Sequence, residues 1–254
     1  MHISERIINN MRDLYSDLRA LKLPGMAKAY RELKNRPGVE NLNFEEKLTL
    51  LIEAEIDNKS ANKIKVLLKN AKFSEPTADI CEIKYFPGRV IDREKINELA
   101  TNDFVRKHSN VILAGACGSG KTYIANAIGV NACLHKIETR YIRLPNLIDD
   151  FLIASAISVE EGRKYIAKFA KYELLIIDEW LIYSEYSEIE VRFLLELMEL
   201  RQKKANVLCS QRHTKGWRDI LGKDIKSEAL VDRLIGGAIK LEINSEESLR
   251  GKDF

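Results

Sequence analysis

The stretch that decides the fold is Gly115-Ala116-Cys117-Gly118-Ser119-Gly120-Lys121-Thr122, a match to the pattern G-x-x-x-x-G-K-[ST]. Its glycines let the backbone curl so that successive N–H groups point inward at a phosphate, and a following helix adds the positive end of its dipole. In such a loop Lys121 supplies a point charge to the β- and γ-phosphates of ATP, and the Thr122 hydroxyl is placed to ligate Mg2+. The flanks agree with this reading. Val111-Ile-Leu-Ala114 is a short apolar strand, and Ile124, Ile128 and Ala132 give the segment after the loop a helical face. The loop and the adjacent Tyr123 are the expected nucleotide cradle.

Downstream, Leu174-Leu-Ile-Ile-Asp178-Glu179 is a buried strand ending in two acids. A strand of this kind puts its carboxylates at the edge of a parallel sheet where α/β folds bind ligands. Asp178 is then expected to hold Mg2+ through its water shell, and Glu179 to polarise the water that attacks the γ-phosphate. A third strand, Val207-Leu-Cys-Ser210-Gln211, also ends in polar residues. If it lies between the other two, Ser210 or Gln211 can touch the γ-phosphate or the water. Arg233 in Val231-Asp-Arg-Leu234, and Arg250, are further candidates for phosphate contact, each with a surface salt bridge as the plainer alternative.

From residue 93 onward strand-like and helix-like segments alternate, which predicts an α/β fold with a parallel sheet flanked by helices. The amino-terminal part differs. Ser4 can cap a helix whose apolar stripe runs from Ile7 and Ile8 through Met11, Leu14, Leu18 and Leu21. Leu23-Pro-Gly25 and Arg36-Pro-Gly38 break the pattern. Asn43 stands three residues before Glu46 as a capping arrangement, and Phe44, Leu48, Leu51, Ile52 and Ile56 form the face of a long helix, expected to pack on another helix. The chain is therefore expected to hold a small all-helical domain over 1–72, a linker over 73–92 that packs on the next domain, and an ATPase domain over 93–254.

Composition narrows the classes without choosing among them. The 254 residues are 45% hydrophobic and 31% charged, with a net charge of +3, so a strongly basic nucleic-acid module is not announced. No apolar run approaches the roughly 18 to 20 residues of a bilayer crossing. The amino terminus has no apolar signal core, so secretion is not expected and a cytoplasmic location is. Four scattered cysteines and four histidines show neither a disulfide framework nor metal-ligand spacing.

Taken in order, GACGSGKT, LLIIDE, SQ, DRL and ESLR resemble the AAA+ ATPases of the initiator and helicase-loader clade. The similarity is greatest to the IstB-type transposition helper ATPases, which are themselves similar to the DnaC-type helicase loaders. Glu98-Leu-Ala-Thr-Asn-Asp-Phe104, Trp217 and Leu21-Lys-Leu-Pro-Gly-Met-Ala27 extend the likeness over nearly the whole chain. The resemblance implies an AAA+ P-loop fold. It assigns Ser210, with Gln211 beside it, to the sensor position. It also makes Arg233 an arginine finger acting on a neighbouring subunit's ATP, and Arg250 a second sensor arginine.

The same resemblance implies ATP-dependent homo-oligomers on duplex DNA and a transposase partner. A replicative helicase takes the transposase's place in the alternative, a loader. Basic contacts to DNA are expected from the Arg201-Gln-Lys-Lys204 run and from Lys215, Arg218, Lys223 and Lys226, against a plain solvated face as the alternative. An adaptor that grips its partner through the amino-terminal helices is a second reading. A metabolic kinase is disfavoured by the Asp178-Glu179 pair. The chain departs from the family at Ala116-Cys117, where proline is usual, and at Trp180, where glycine often follows the acids. It is also expected to lack a carboxy-terminal helical lid, as the helper and loader branch does.

Overall fold

The computed structural model describes residues 13–222, 224–245 and 248–249. The Ser4 cap, the Ile7, Ile8 and Met11 positions, Lys223 and Arg250 lie outside them. The chain divides into two compact units, one ending at Val66 and the other beginning at Leu67.

In the first unit, Asp13 caps α1 (Leu14–Ala20), its side chain accepting from the Tyr15 N–H. The chain turns at Lys22, which takes a left-handed φ of 60°, and α2 (Pro24–Lys34) then starts on its proline. A proline at the first helical position loses nothing, because that N–H has no partner inside the helix. The N–H groups of Gly25 and Met26 donate to the Glu55 carboxylate at 2.7 and 3.1 Å. Glu55 comes from α3 (Phe44–Ala71) and is only 5% exposed. Gly25 is needed for this approach, since a Cβ there would stand 2.5 Å from the Ala54 carbonyl oxygen. The start of α3 carries the expected capping pair, Asn43 N–H to Glu46 at 2.7 Å and Glu46 N–H to Asn43 at 2.9 Å. Among the described residues the expected packing of the Phe44 face is not found: Phe44, Leu48, Ile52 and Ile56 are exposed, and α2 meets α3 on the side of Gly25 and Glu55 instead.

The second unit is built on one sheet. Its strands are β1 (Arg89–Val90), β2 (Val111–Gly115), β3 (Thr139–Arg143), β4 (Leu174–Asp178), β5 (Ala205–Ser210) and β6 (Ile239–Ser245). They lie in the order β1-β6-β2-β5-β4-β3, parallel throughout except where β1 runs against β6. Apolar residues divide by parity, as the pleat requires. Val111, Leu113, Ile176 and Val207 face one core, with Ile124 and Ile128 of α6 (Lys121–Leu134) and Leu99 of α4 (Arg93–Ala100). Ile112, Leu175, Ile177 and Leu208 face the other core. There they meet α7 (Leu144–Ile157), α8 (Val159–Ala170), α9 (Glu188–Leu200) and α11 (Ile225–Ile235). Burial on both faces is why these strands read as unbroken apolar runs rather than as alternating ones. The short α5 (Asp103–Arg106) and α10 (Trp217–Leu221) complete the helices.

Residues 73–92 pack on the first of these cores. Ala78, Ile83 and Ile91 are buried, and the segment ends by adding β1 to the sheet edge. The strand β1 was not expected from sequence, because two residues carry no readable alternation. No helix among the described residues is long and apolar enough to cross a membrane.

Candidate functional site

The loop 116–120 leaves β2 at Gly115 and enters α6 at Lys121, with Gly118 and Gly120 at left-handed φ values of 76° and 90°. Only glycine adopts these without strain, so the motif's glycines are a backbone requirement. Gly120 caps α6 with no side-chain hydrogen bond, which leaves the first N–H groups of that helix turned toward the cleft for an anion. Lys121 is 8% exposed and donates to the Ala116 carbonyl at 2.6 Å, folding its ammonium back over the loop. Cys117 is a free, exposed cysteine at the rim of the cleft.

β5 lies between β2 and β4, so the three polar strand ends expected to converge do so. They border a cleft of about 510 Å³ whose walls include Lys121, Thr122, Tyr123, Asp178, Glu179 and Gln211. Asp178, 5% exposed, accepts from the Thr122 hydroxyl at 2.8 Å and from the Tyr141 hydroxyl at 2.9 Å on one oxygen. Its other oxygen accepts from the Glu179 N–H at 2.8 Å. Burial, and then the Asp178 charge, push the Tyr141 phenol far above its ordinary range, so it stays a donor. Burial likewise raises the Cys209 thiol, with Asp178 adding to it, and keeps it neutral.

Thr122 and Asp178 together offer two hard oxygen ligands. That donor set fits Mg2+, which binds through one or two protein oxygens plus phosphate and water. Among the described residues no larger cluster of acids, histidines or cysteines could hold a metal by itself.

Glu179 has a left-handed φ of 56°, and Leu181 one of 54°. Its carboxylate is held by Arg143 of β3, with Nε at 2.9 Å and Nη2 at 2.7 Å from the same oxygen. This contact raises the Arg143 guanidinium above its ordinary range. Arg143 has no motif around it, and sequence reading missed it. Register alone could have found it, since Arg143 pairs with Asp178 across β3 and β4.

Two expectations need correction. Ser210 is fully buried, and its hydroxyl donates to the Trp180 carbonyl at 3.0 Å and accepts from the Arg212 N–H at 3.1 Å. Gln211, one step along the chain, is the residue that lines the cleft. Arg201 is 1% exposed and does not face solvent. It donates to the carbonyls of Phe169, Tyr172 and Ala205 and to the Asn206 side chain at 2.6 to 2.8 Å.

Arg218 is exposed and Lys226 half-buried, and both are paired, with Asp232 and Glu188. Arg233 lies away from the nucleotide loop. Its carbonyl accepts from Asn110 at the foot of β2, its guanidinium faces Glu199 at 3.4 Å, and it borders a separate cleft of about 290 Å³ with Lys107 and Lys204. Sequence reading also missed Glu75 and Arg89, which reach the nucleotide cleft from the segment before the sheet. Burial, then Asp178, push the Glu75 carboxyl up.

Comparison with known proteins agrees with this geometry. A family model described as IstB-like ATP-binding protein matches residues 16–253. An insertion-sequence ATP-binding protein of Sinorhizobium fredii is 30% identical over 92% of this chain and 93% of its own length. The ATP-binding protein of insertion sequence IS1162 from Pseudomonas fluorescens is 32% identical over 77% and 84%. Among solved structures, AMPPCP-bound DnaA from Aquifex aeolicus aligns with a TM-score of 0.54 at 19% identity, covering 70% of this chain and 54% of that one. The DnaC helicase loader aligns with a TM-score of 0.51 at 16% identity, covering 66% and 97%. The chain therefore belongs to the IstB-like ATP-binding protein family and has the fold that DnaA and the DnaC helicase loader share.

Proposed function

We propose that this protein is a transposition helper, in which ATP-bound copies assemble along duplex DNA and recruit or activate a transposase. Hydrolysis then releases or remodels the assembly. In this reading the loop from Gly115 to Thr122, with Tyr123, cradles the phosphates, and Lys121 neutralises them. Thr122 and Asp178 hold Mg2+, Glu179 activates water, and Gln211 senses the γ-phosphate while Ser210 braces the turn behind it. Arg233 is the finger for a neighbouring subunit, and Arg250 is the second sensor. The helical segment 1–72 contacts partner, DNA or a second copy, and the protein acts in the cytoplasm.

The observation that carries the assembly is the position of Arg233. It sits by Asn110 at the foot of β2, whereas the nucleotide loop leaves the other end of that strand at Gly115. Five strand residues separate them, about 16 Å of extended chain. An arginine so placed is out of reach of its own loop, which supports a role at the ATP of another copy, where it would stabilise charge on the transferred phosphoryl group.

Mixing variants tests this. Arg233→Ala and Glu179→Gln should each hydrolyse ATP poorly alone, and together regain turnover, because each supplies what the other lacks. With ATP and duplex DNA, Glu179→Gln should form stable multimers and Lys121→Ala should not. A Glu179→Gln protein that binds ATP yet stays monomeric on duplex DNA would sink the proposal. A retained hexameric helicase, in place of a transposase, would favour the loader instead.

A further inference from the structure

The nucleotide cleft contains a cation that no motif announces. Arg89 opens β1 and is 8% exposed. Its Nη1 donates to the Lys84 carbonyl at 2.6 Å and its Nη2 to the Ser119 carbonyl at 3.0 Å. The guanidinium thus joins the segment before the sheet to the middle of the phosphate loop. It lies so close to Gly120 that a side chain there would collide with it. Its Nε is buried without a hydrogen-bond partner, and among the described residues no carboxylate pairs with it.

A guanidinium carries five N–H donors and stays charged at any physiological pH. Burying that charge is costly, and burial indeed pulls Arg89 down from its ordinary range. Two carbonyls and the Phe86 ring at 5.9 Å offset this only in part, since none carries a negative charge. The contrast with Arg201 is direct: that arginine spends its donors on four oxygens and lines no part of this cleft. A buried cation with a spare donor, beside a loop shaped for phosphate, is completed by an anion arriving on that loop.

We infer that Arg89 is a nucleotide-binding residue of this ATPase, giving charge and a hydrogen bond to the polyphosphate beside the 115–122 loop. Through the Lys84 carbonyl it also makes the segment 83–91 responsive to whether nucleotide is bound. The inference rests on the 115–122 loop being the ATP site.

The test is a titration of the full chain with ATP and with inorganic tripolyphosphate, for Arg89→Gln, Arg89→Lys and Lys121→Ala. Arg89→Gln should weaken both ligands about tenfold or more, the loss of one hydrogen bond to a charged group. Arg89→Lys should recover part of that loss. The melting temperature of the nucleotide-free protein should hold or rise in Arg89→Gln, while its increase on adding ATP shrinks. Unchanged affinity in both Arg89 variants, with Lys121→Ala impaired, would overturn the role of Arg89 alone. A loss for ATP without a loss for tripolyphosphate would also overturn it, since the contact would then be to the nucleoside. Full ATP affinity in Lys121→Ala would instead overturn the assignment of the loop. Should Arg89→Gln fail to fold, Arg89→Lys decides: affinity equal to the parent protein's, with the same ATP-induced rise in melting temperature, leaves Arg89 a structural brace only.

Discussion

The two ends of the sheet treat buried polar groups in opposite ways. At the amino ends of the strands, Arg201 gives hydrogen bonds to four oxygens, and Asn206 passes the network on to Asn110 at 2.8 Å. Asn110 in turn donates to the carbonyls of Arg233 and Leu234, which end α11. At the carboxyl ends, the groups are close but incompletely matched. Arg89 Nε and the Ser119 hydroxyl are buried without partners, and Glu179 sits on a left-handed backbone. A fully satisfied network specifies structure, whereas an under-satisfied one keeps its capacity for a ligand.

That contrast can be broken experimentally, and the largest effect belongs to the carboxyl end. Glu179→Gln should lower the turnover number about 10³-fold, as expected for removing a positioned general base. Its ATP affinity and melting temperature should stay near those of the parent protein. A loss of stability in place of a loss of turnover, seen by thermal melting beside phosphate release, would make Glu179 a structural residue and erase the contrast. At the other end the expectation reverses. Arg201→Ala strands several buried acceptors and should cost about 3 to 5 kcal/mol, a drop on the order of 10 °C in melting temperature. Its ATP affinity, measured where both proteins are folded, should be unchanged.

A smaller effect sharpens the comparison. The Arg143–Glu179 pair is partly exposed, with the two side chains 51% and 28% accessible, and such pairs are worth about 1 kcal/mol or less. Arg143→Ala should therefore release the carboxylate and raise basal hydrolysis by up to about fivefold. A fall in basal rate would show that Arg143 supports Glu179 in the reacting geometry and does not restrain it.

Much of this architecture was legible because it rests on local rules. The glycine spacing of the loop, the apolar strands buried on two faces and the acids ending β4 each have a short-range cause. Legibility fails where a residue's role depends on what the fold brings beside it. Arg201 begins a basic run that reads as a solvated face, yet its side chain turns inward under β5. Ser210 and Gln211 differ by one step at a strand end, and one step reverses the side a residue faces. Arg89 and Glu75 lie in a segment without periodicity, so nothing local marks them as cleft residues. The Phe44 stripe has helical spacing, and spacing cannot say whether a partner lies against it.

The backbone of Glu179 has an evolutionary consequence. A non-glycine residue at a φ of 56° costs about 1 kcal/mol, so Glu179→Gly should raise the melting temperature by at most about 2 to 4 °C, less what the lost Arg143 pair contributed, while ending hydrolysis. On the proposed role of Glu179 in activating water, selection for turnover would keep glutamate in a place where glycine has the easier backbone. A lineage that came to use nucleotide only as a ligand would be free to drift to glycine here and would gain robustness by doing so. The residue at this one position then serves as a fossil record of whether a relative still needs to hydrolyse what it binds.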